Sequence, residues 1–186
     1  MAIDDLIQDA TRRMDKSVEA AQAEFSTLRT GRASTGLLDR VQIDYYGQKT
    51  PLKQLATVNS PEPRLLTIQP FDPNSVSAIE RAIQESDLGL TPSNDGKLIR
   101  LPIPQLTEER RKELVKIVRQ MAEDGRVAVR NVRRDVMHHL KELVDKGEVG
   151  SDEEHRAEER VQKLTDDHTH TIDELLKKKE AEILEV

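Results

Sequence analysis

The sequence predicts an α+β protein of two domains, a long three-helix bundle with a small β/α/β domain inserted into it. Apolar residues recur every three or four positions over 1–30 and again over 105–186, which is the helical period. Residues 31–104 contain all eight prolines and include stretches with a period of two, which is typical of strands. We therefore expect residues 1–30 and 105–186 to form the bundle, and residues 31–104 to form the inserted domain.

The first helix is predicted from a long apolar stripe that no glycine or proline interrupts before Gly31. Glycine adopts the left-handed conformation that often ends a helix, so Gly31 is the expected stop. The stripe consists of Ile7, Ala10, Met14, Val18, Ala21, Phe25 and Leu28.

The inserted domain is predicted as short strands around one helix. Apolar and polar residues alternate over 41–46, and Gly47 follows as a turn. A second strand is predicted over 65–68 and a third over 98–101. Between them, residues 75–86 have the pattern of a short amphipathic helix.

Two further helices follow the last prolines. Thr107 is a good capping residue, and the acids at 108 and 109 favour the positive end of a helix dipole. Gly125 is a weak point inside this helix, and Ser151 with Glu154 predicts a capping box for the last one. The expected core stripes are Leu114, Ile117, Met121, Ala128, Val132 and Val136, then Ala157, Val161, Leu164, His168, Ile172, Leu175 and Ile183.

The net charge is −6, but basic residues are concentrated in one segment. Residues 108–134 contain nine basic and five acidic side chains, whereas residues 146–186 contain seven basic and thirteen acidic ones. One helix is therefore expected to present a cationic face. The acidic last helix is expected to face away from nucleic acid and to limit non-specific binding.

The candidate RNA-binding residues form a stripe on the 107–145 helix. With Arg119 at zero and about 100° per residue, the cationic side chains fall between about −40° and +60°. The predicted apolar residues cluster near 180°, so the stripe is expected to lie opposite the core. Arginine suits phosphate because its planar fork donates paired hydrogen bonds. The stripe consists of Lys112, Lys116, Arg119, Arg126, Arg130, Arg133 and Arg134.

The alternative for this stripe is a solvated face stabilised by ion pairs within the helix. Most arginines between 126 and 134 lack an acidic residue four positions away, which favours phosphate binding. Glu123 could pair with Arg126 or Arg119, and Asp135 is the one acid that follows the cluster.

Other function classes receive little support from the residues. There is no cysteine, no histidine pair at helical metal spacing and no glycine-rich phosphate loop, so we predict no metal, no cofactor and no enzymatic activity. No apolar run could span a bilayer and no signal peptide is visible, so a soluble cytoplasmic protein is expected. An adaptor for an acidic protein, an RNA-processing enzyme and a coiled-coil dimer remain alternatives, and a monomer is the expectation.

Several motifs resemble the ribosome recycling factor family, in order along nearly the whole chain. The first two are LRTGRA at 28–33 and YYG at 45–47. The others are TPL at 50–52, SDLGL at 86–90, IRLPIPQLTEERR at 99–111, VAVRNVRRD at 127–135 and VQKLTD at 161–166.

This resemblance implies an L-shaped molecule and a role in recycling the post-termination ribosome. Members, with elongation factor G and GTP, separate the ribosomal subunits, and their helical rod contacts large-subunit ribosomal RNA. Arg130 and Arg133 match the family's functionally sensitive arginines. The two connecting segments would then form a hinge, although a rigid corner is equally compatible with the residue pattern. The hinge residues would be Arg29, Thr30, Gly31, Arg32, Pro102 and Pro104.

Overall fold

The structure is a computed structural model that describes residues 2–185 of the chain. The chain divides into two compact units. The helical unit comprises the chain up to Thr30 and from Glu108 onward, and the mixed unit comprises Gly31–Thr107. The mixed unit therefore extends three residues beyond the expected boundary at residue 104.

The two units differ in their secondary structure. The helices are α1 (Ala2–Ser26), α2 (Leu52–Leu55), α3 (Val76–Glu85), α4 (Glu108–Asp145) and α5 (Ser151–Leu184). The strands are β1 (Gln42–Tyr45), β2 (Gln48–Pro51), β3 (Ala56–Glu62), β4 (Leu65–Pro70), β5 (Ser93–Asn94) and β6 (Ile99–Pro102).

The three long helices α1, α4 and α5 pack against one another, as the apolar stripes predict. Met14, Leu140 and Ile172 are fully buried, one from each helix. Burying a side chain of this size stabilises the fold by about 1.5–3 kcal/mol. Each helix thus has a buried face that is covered within the chain, which is how a helix with one apolar face becomes stable in water.

Gly125 lies where α4 is in close contact with both α1 and α5. A Cβ atom there would lie 3.1 Å from Cβ of Ala21 and 3.2 Å from Cδ1 of Ile172. A glycine inside a helix costs about 1 kcal/mol relative to alanine, so the weak point in α4 stays a prediction, although the helix is continuous through Gly125. The missing side chain leaves space for the neighbouring residues of α1 and α5.

Gly31 does not end α1, contrary to the prediction from the sequence. The helix ends at Ser26, and Gly31 is the first residue of the mixed unit. Its φ is +77°, which L side chains rarely adopt, and a Cβ would lie 2.9 Å from Cγ of Leu106. The glycine is therefore required by packing inside the mixed unit and not by the helix terminus.

A tight turn joins α4 to α5. The amide of Gly147 donates to the carbonyl of Val144, and the amide of Glu148 donates to that of Leu143. With Gly147 at φ +72°, this is the Schellman ending of a helix. The predicted capping box is wrong: Gly150 is the N-cap of α5, and no side chain caps it.

The mixed unit contains a four-stranded antiparallel sheet in the order β3-β4-β6-β5, and a separate hairpin of β1 and β2. Residues Tyr46 and Gly47 make the two-residue turn of the hairpin. The core lies between the strands and α3, and its fully buried residues are Ile43, Leu66, Ile68, Ile79, Ile83, Ile99 and Leu101.

Candidate nucleic-acid interface

The seven predicted cationic residues all lie on α4, but they differ in exposure. Lys112, Lys116, Arg119, Arg130 and Arg134 are exposed, whereas Arg126 and Arg133 are half-buried. A continuous helix of 38 residues holds them at fixed spacing over about six turns. The face is therefore a rigid array of cations, which suits a ligand with regularly spaced negative charges.

The buried stripe of α4 lies elsewhere than the sequence predicts. It is centred about 100° around the helix from Arg119, rather than opposite to it. Ile117 is 37% exposed, and Met121 and Ala128 are half-buried, so these three do not form the centre of the core. The buried residues are Leu114, Val118, Ala122, Gly125, Val129, Val132, Val136 and Leu140.

Because of this position of the buried stripe, two adjacent arginines are buried to different extents. Arg133 is about 60° from the centre of the buried stripe, and Arg134 about 160°. Arg133 consequently lies along the edge of the packed surface, and Arg134 points outward. Val127 also lies on the outward side and is 42% exposed, so an apolar side chain is part of this surface. Val127 is not found from the sequence pattern, because an apolar residue on a helix is usually assigned to the core.

Three of the predicted arginines have acidic partners in the structure, which corrects the view that the cluster is largely unpaired. Nε of Arg119 donates to Oε1 of Glu180 at 2.7 Å, across to α5. Arg126 contacts two carboxylates: its Nε donates to Glu123 Oε2 at 3.0 Å, and its Nη1 donates to Asp173 Oδ1 at 2.6 Å.

Glu123 also binds a second arginine. Its Oε1 accepts from Nη2 of Arg130 at 2.6 Å, so one carboxylate holds two guanidinium groups. These two hydrogen bonds keep the pKa of Glu123 below its ordinary value. Burial alone would lower the pKa of Arg126, but the hydrogen bonds that it donates to Glu123 and Asp173 raise that pKa above its ordinary value.

These contacts also correct the expectation for α5. Asp173 and Glu180 are acids of α5 that lie beside the cationic face instead of away from it. Partners on another helix cannot be found by searching positions three or four residues away in the sequence. The interhelical pairs were therefore missed, although Glu123 was recognised as a candidate partner.

The remaining cations of the stripe have weaker ion pairs than Arg119, Arg126 and Arg130, or none. Lys112 is 3.5 Å from Glu108 on the exposed surface, a pair of little energetic weight. Within residues 2–185, no ion pair involves Lys116, Arg133 or Arg134. Asp135 is bound by Arg13 of α1 at 2.7 Å, and this hydrogen bond lowers the pKa of Asp135.

The predicted hinge residues lie where the chain enters and leaves the mixed unit. Pro102 is the last residue of β6 and is paired with Leu65, so it belongs to the sheet. The amide of Ala33 donates to the carbonyl of Pro63, and the amide of Ile103 donates to that of Arg64. Pro104 follows Ile103, while Arg29 and Thr30 come before Gly31, and Arg32 comes after it.

Metal-binding groups and membrane-spanning helices are both absent from residues 2–185. Among the described residues, no three histidine, aspartate or glutamate side chains are grouped so that they could hold a metal ion. Within the same residues, every helix is too short or too polar to cross a membrane. The fold and this face thus define a two-domain α+β protein with a cationic surface along α4.

Comparisons with known proteins identify the family within this class. The sequence model of the family described as "Ribosome recycling factor" matches residues 21–184. The chain is 58% identical to the ribosome-recycling factor of Rubrobacter xylanophilus, over 97% of either chain. It is 52% identical to that of Carboxydothermus hydrogenoformans, over 99% of this chain and 100% of the relative. The chain belongs to the ribosome recycling factor family.

Solved structures give the same result for the fold. A solution structure of the ribosome recycling factor has 44% sequence identity and a TM-score of 0.77, with 100% of this chain and 99% of that chain covered. A second neighbour, with 48% identity and a TM-score of 0.65, comes from models of the T. thermophilus ribosome recycling factor and the E. coli elongation factor G bound to the E. coli post-termination complex. It covers 99% of this chain and 100% of that chain.

Family membership confirms the resemblance and two expectations drawn from the sequence. The chain is a two-domain α+β protein, and it is a non-enzymatic translation factor of the ribosome-binding kind.

Proposed function

We propose that this chain binds the post-termination ribosome and, with elongation factor G and GTP, promotes separation of the subunits and release of mRNA. The family supports a role in ribosome recycling. The neighbour described with elongation factor G on a post-termination complex supports these two partners. The proposed site of action is the cytoplasm, where the chain would act as a monomer because α1, α4 and α5 cover one another's apolar stripes.

The proposed contact with the ribosome runs from α4 to phosphates of large-subunit ribosomal RNA. One observation supports it above the others: the adjacent Arg133 and Arg134 have no ion pair among the described residues. The neighbouring Asp135 forms its ion pair with Arg13 of α1 instead. Guanidinium groups bind phosphate through paired, charge-assisted hydrogen bonds. Folded RNA can be recognised through phosphates and shape, so contacts to base edges are unnecessary.

The other cations of the face have graded roles in this proposal. Lys112, Lys116 and Arg130 contribute further contacts from exposed positions. Arg119 is exposed but bound to Glu180, and Arg126 mainly joins α4 to α5. Binding is therefore expected to depend most on the Arg133 end of the helix.

Arg133→Ala tests the proposed contact. Loss of one phosphate contact should weaken binding to purified large subunits by about 5- to 8-fold at 0.1 M salt. Splitting of post-termination ribosomes with elongation factor G and GTP should slow accordingly, while helicity and thermal unfolding stay close to those of the wild type. Arg156→Ala is the matched control, since Arg156 is an exposed arginine on α5. A normal binding and splitting activity of Arg133→Ala would contradict the proposal.

The segments that join the two units are proposed as a hinge through which elongation factor G moves the mixed unit. Substitution of Gly31 is a poor test, because its positive φ and its contact with Leu106 make any side chain disruptive. The chain has no cysteine, so one cysteine can be introduced in each unit, for example at Ser60 and Glu158, for a two-label distance measurement. A single narrow distance, both free and on the ribosome with elongation factor G, would contradict a hinge.

A further inference from the structure

Glu123 is in an unusual position for an acidic residue on a cationic face. Its carboxylate contacts Nε of Arg126 at 3.0 Å and Nη2 of Arg130 at 2.6 Å. Its side chain is 45% exposed and that of Arg130 is 47% exposed, so both groups can be reached by a ligand on the surface. The lowered pKa of Glu123 means that it is ionised at neutral pH.

The charges around Glu123 cancel. Arg126 and Arg130 each contribute one positive charge, and Glu123 and Asp173 each contribute one negative charge. This part of α4 therefore adds little to the long-range attraction of the protein for a polyanion. That attraction comes from Arg133 and Arg134, which lie one turn further along the helix.

We propose that Glu123 is a specificity-determining residue of the α4 face, whose carboxylate competes with RNA phosphates for Arg130. This inference rests on the proposed function of the face. RNA of arbitrary conformation brings phosphates toward Arg130 from many directions and is repelled by the adjacent carboxylate. An RNA surface that fits Arg133 and Arg134 reaches the exposed side of Arg130 and leaves its hydrogen bond to Glu123 in place.

The test compares non-specific and specific binding of Glu123→Gln. The substitution keeps the shape and an acceptor oxygen but removes the charge. Binding to poly(U) should become about 5-fold tighter at 0.1 M salt, and the slope of log K against log salt should steepen by about 0.7, as for one added phosphate contact to a single strand. Affinity for purified large subunits should change by less than about 2-fold, so the ratio of the two affinities should fall.

Two further variants separate this mechanism from a general effect of charge. Asp124→Asn removes one negative charge from the next residue, which accepts a hydrogen bond from Gln120 and has no ion pair among the described residues. It should alter poly(U) binding much less. In an Arg130→Ala background, Glu123→Gln should have no effect, because the residue through which it acts is missing. Helicity and Tm are measured for each variant, and Asp173 continues to hold Arg126 in all of them.

Several results would overturn the inference. They are unchanged poly(U) binding of Glu123→Gln, an equal gain for large subunits, an equal gain in Asp124→Asn, or a persistent gain in the Arg130→Ala background. Failure of the proposed function looks different, because Arg133→Ala would then leave large-subunit binding intact. If Arg133→Ala weakens that binding and Glu123→Gln does nothing, the function stands and this inference alone is wrong.

Discussion

Two sections of the same face of α4 have different surroundings. The ion-paired section, made of Arg119, Arg126 and Arg130, contacts Glu180, Asp173 and Glu123. The unpaired section, made of Arg133 and Arg134, has no such contact among the residues that the structure describes. The two sections together span about four turns of one helix, and both are rich in arginine.

The difference shows that arginine content alone does not define a binding surface. Guanidinium groups that already bind carboxylates are oriented and neutralised, and those of Arg119 and Arg126 also join α4 to α5. Those without carboxylates keep their full charge and hydrogen-bonding capacity for an external phosphate. The ion-paired section is therefore expected to determine stability and selectivity, and the unpaired section to determine affinity.

Gly125→Leu should lower thermal stability more than any other variant considered, because the ion-paired section depends on the close approach of the helices. The new side chain would meet Ala21 and Ile172, which already lie 3.1 and 3.2 Å from the position of a Cβ atom. Overpacking of this kind costs about 1–3 kcal/mol or more, which corresponds to a fall in Tm of several degrees. Thermal unfolding followed by circular dichroism measures it. Gln120→Leu, at an exposed position of α4, should leave Tm nearly unchanged, and equal losses would contradict the packing role.

Arg126→Ala and Arg134→Ala should change different properties: the first should lower stability, and the second should weaken binding. Arg126→Ala leaves Asp173 and Glu123 without their shared partner and should cost about 1 kcal/mol, or about 2–4 °C in Tm. Arg134→Ala should change stability by less than about 0.5 kcal/mol. It should instead reduce the salt slope of large-subunit binding by about 0.7–0.9. If both variants change the same property, the distinction between the two sections is wrong.

The sequence predicted the large elements of the fold because their patterns are long and regular. The stripe of α1 fell on residues that are buried, such as Met14 and Phe25. The stripe of α4 was misplaced because Ile117 and Met121 are apolar yet lie beside the core, whereas Ala122 and Gly125 are small residues inside it. Small residues contribute little to a hydrophobic pattern, although they mark the closest helix contacts.

The sequence was less informative where tertiary contacts decide the outcome. Strand β3 was missed because its residues include Asn59 and Pro61 and little apolar alternation. It lies at the edge of the sheet, where proline is tolerated and burial is low. For the cationic face, the residues could be named, but their partners on α5 could not, since Asp173 and Glu180 are distant in the sequence. The same holds for Arg13 of α1, which binds Asp135 beside the face.

The smallest expected effect is on the pH dependence of thermal stability, and it comes from Glu123 in the ion-paired section. The pKa of Glu123 in the folded protein lies below its ordinary value of 4.5, because Arg126 and Arg130 bind its ionised form. A group of this kind stabilises the fold at pH values above 4.5 and loses that contribution as the pH falls through its folded pKa. The Tm of Glu123→Gln should therefore be slightly lower than that of the wild type at pH 7, and the two values should converge as the pH drops below 4.5. Asp124→Asn serves as the control for removal of a nearby charge. A Tm difference between Glu123→Gln and the wild type that persists unchanged to low pH would show that the carboxylate of Glu123 does not stabilise the section through its charge.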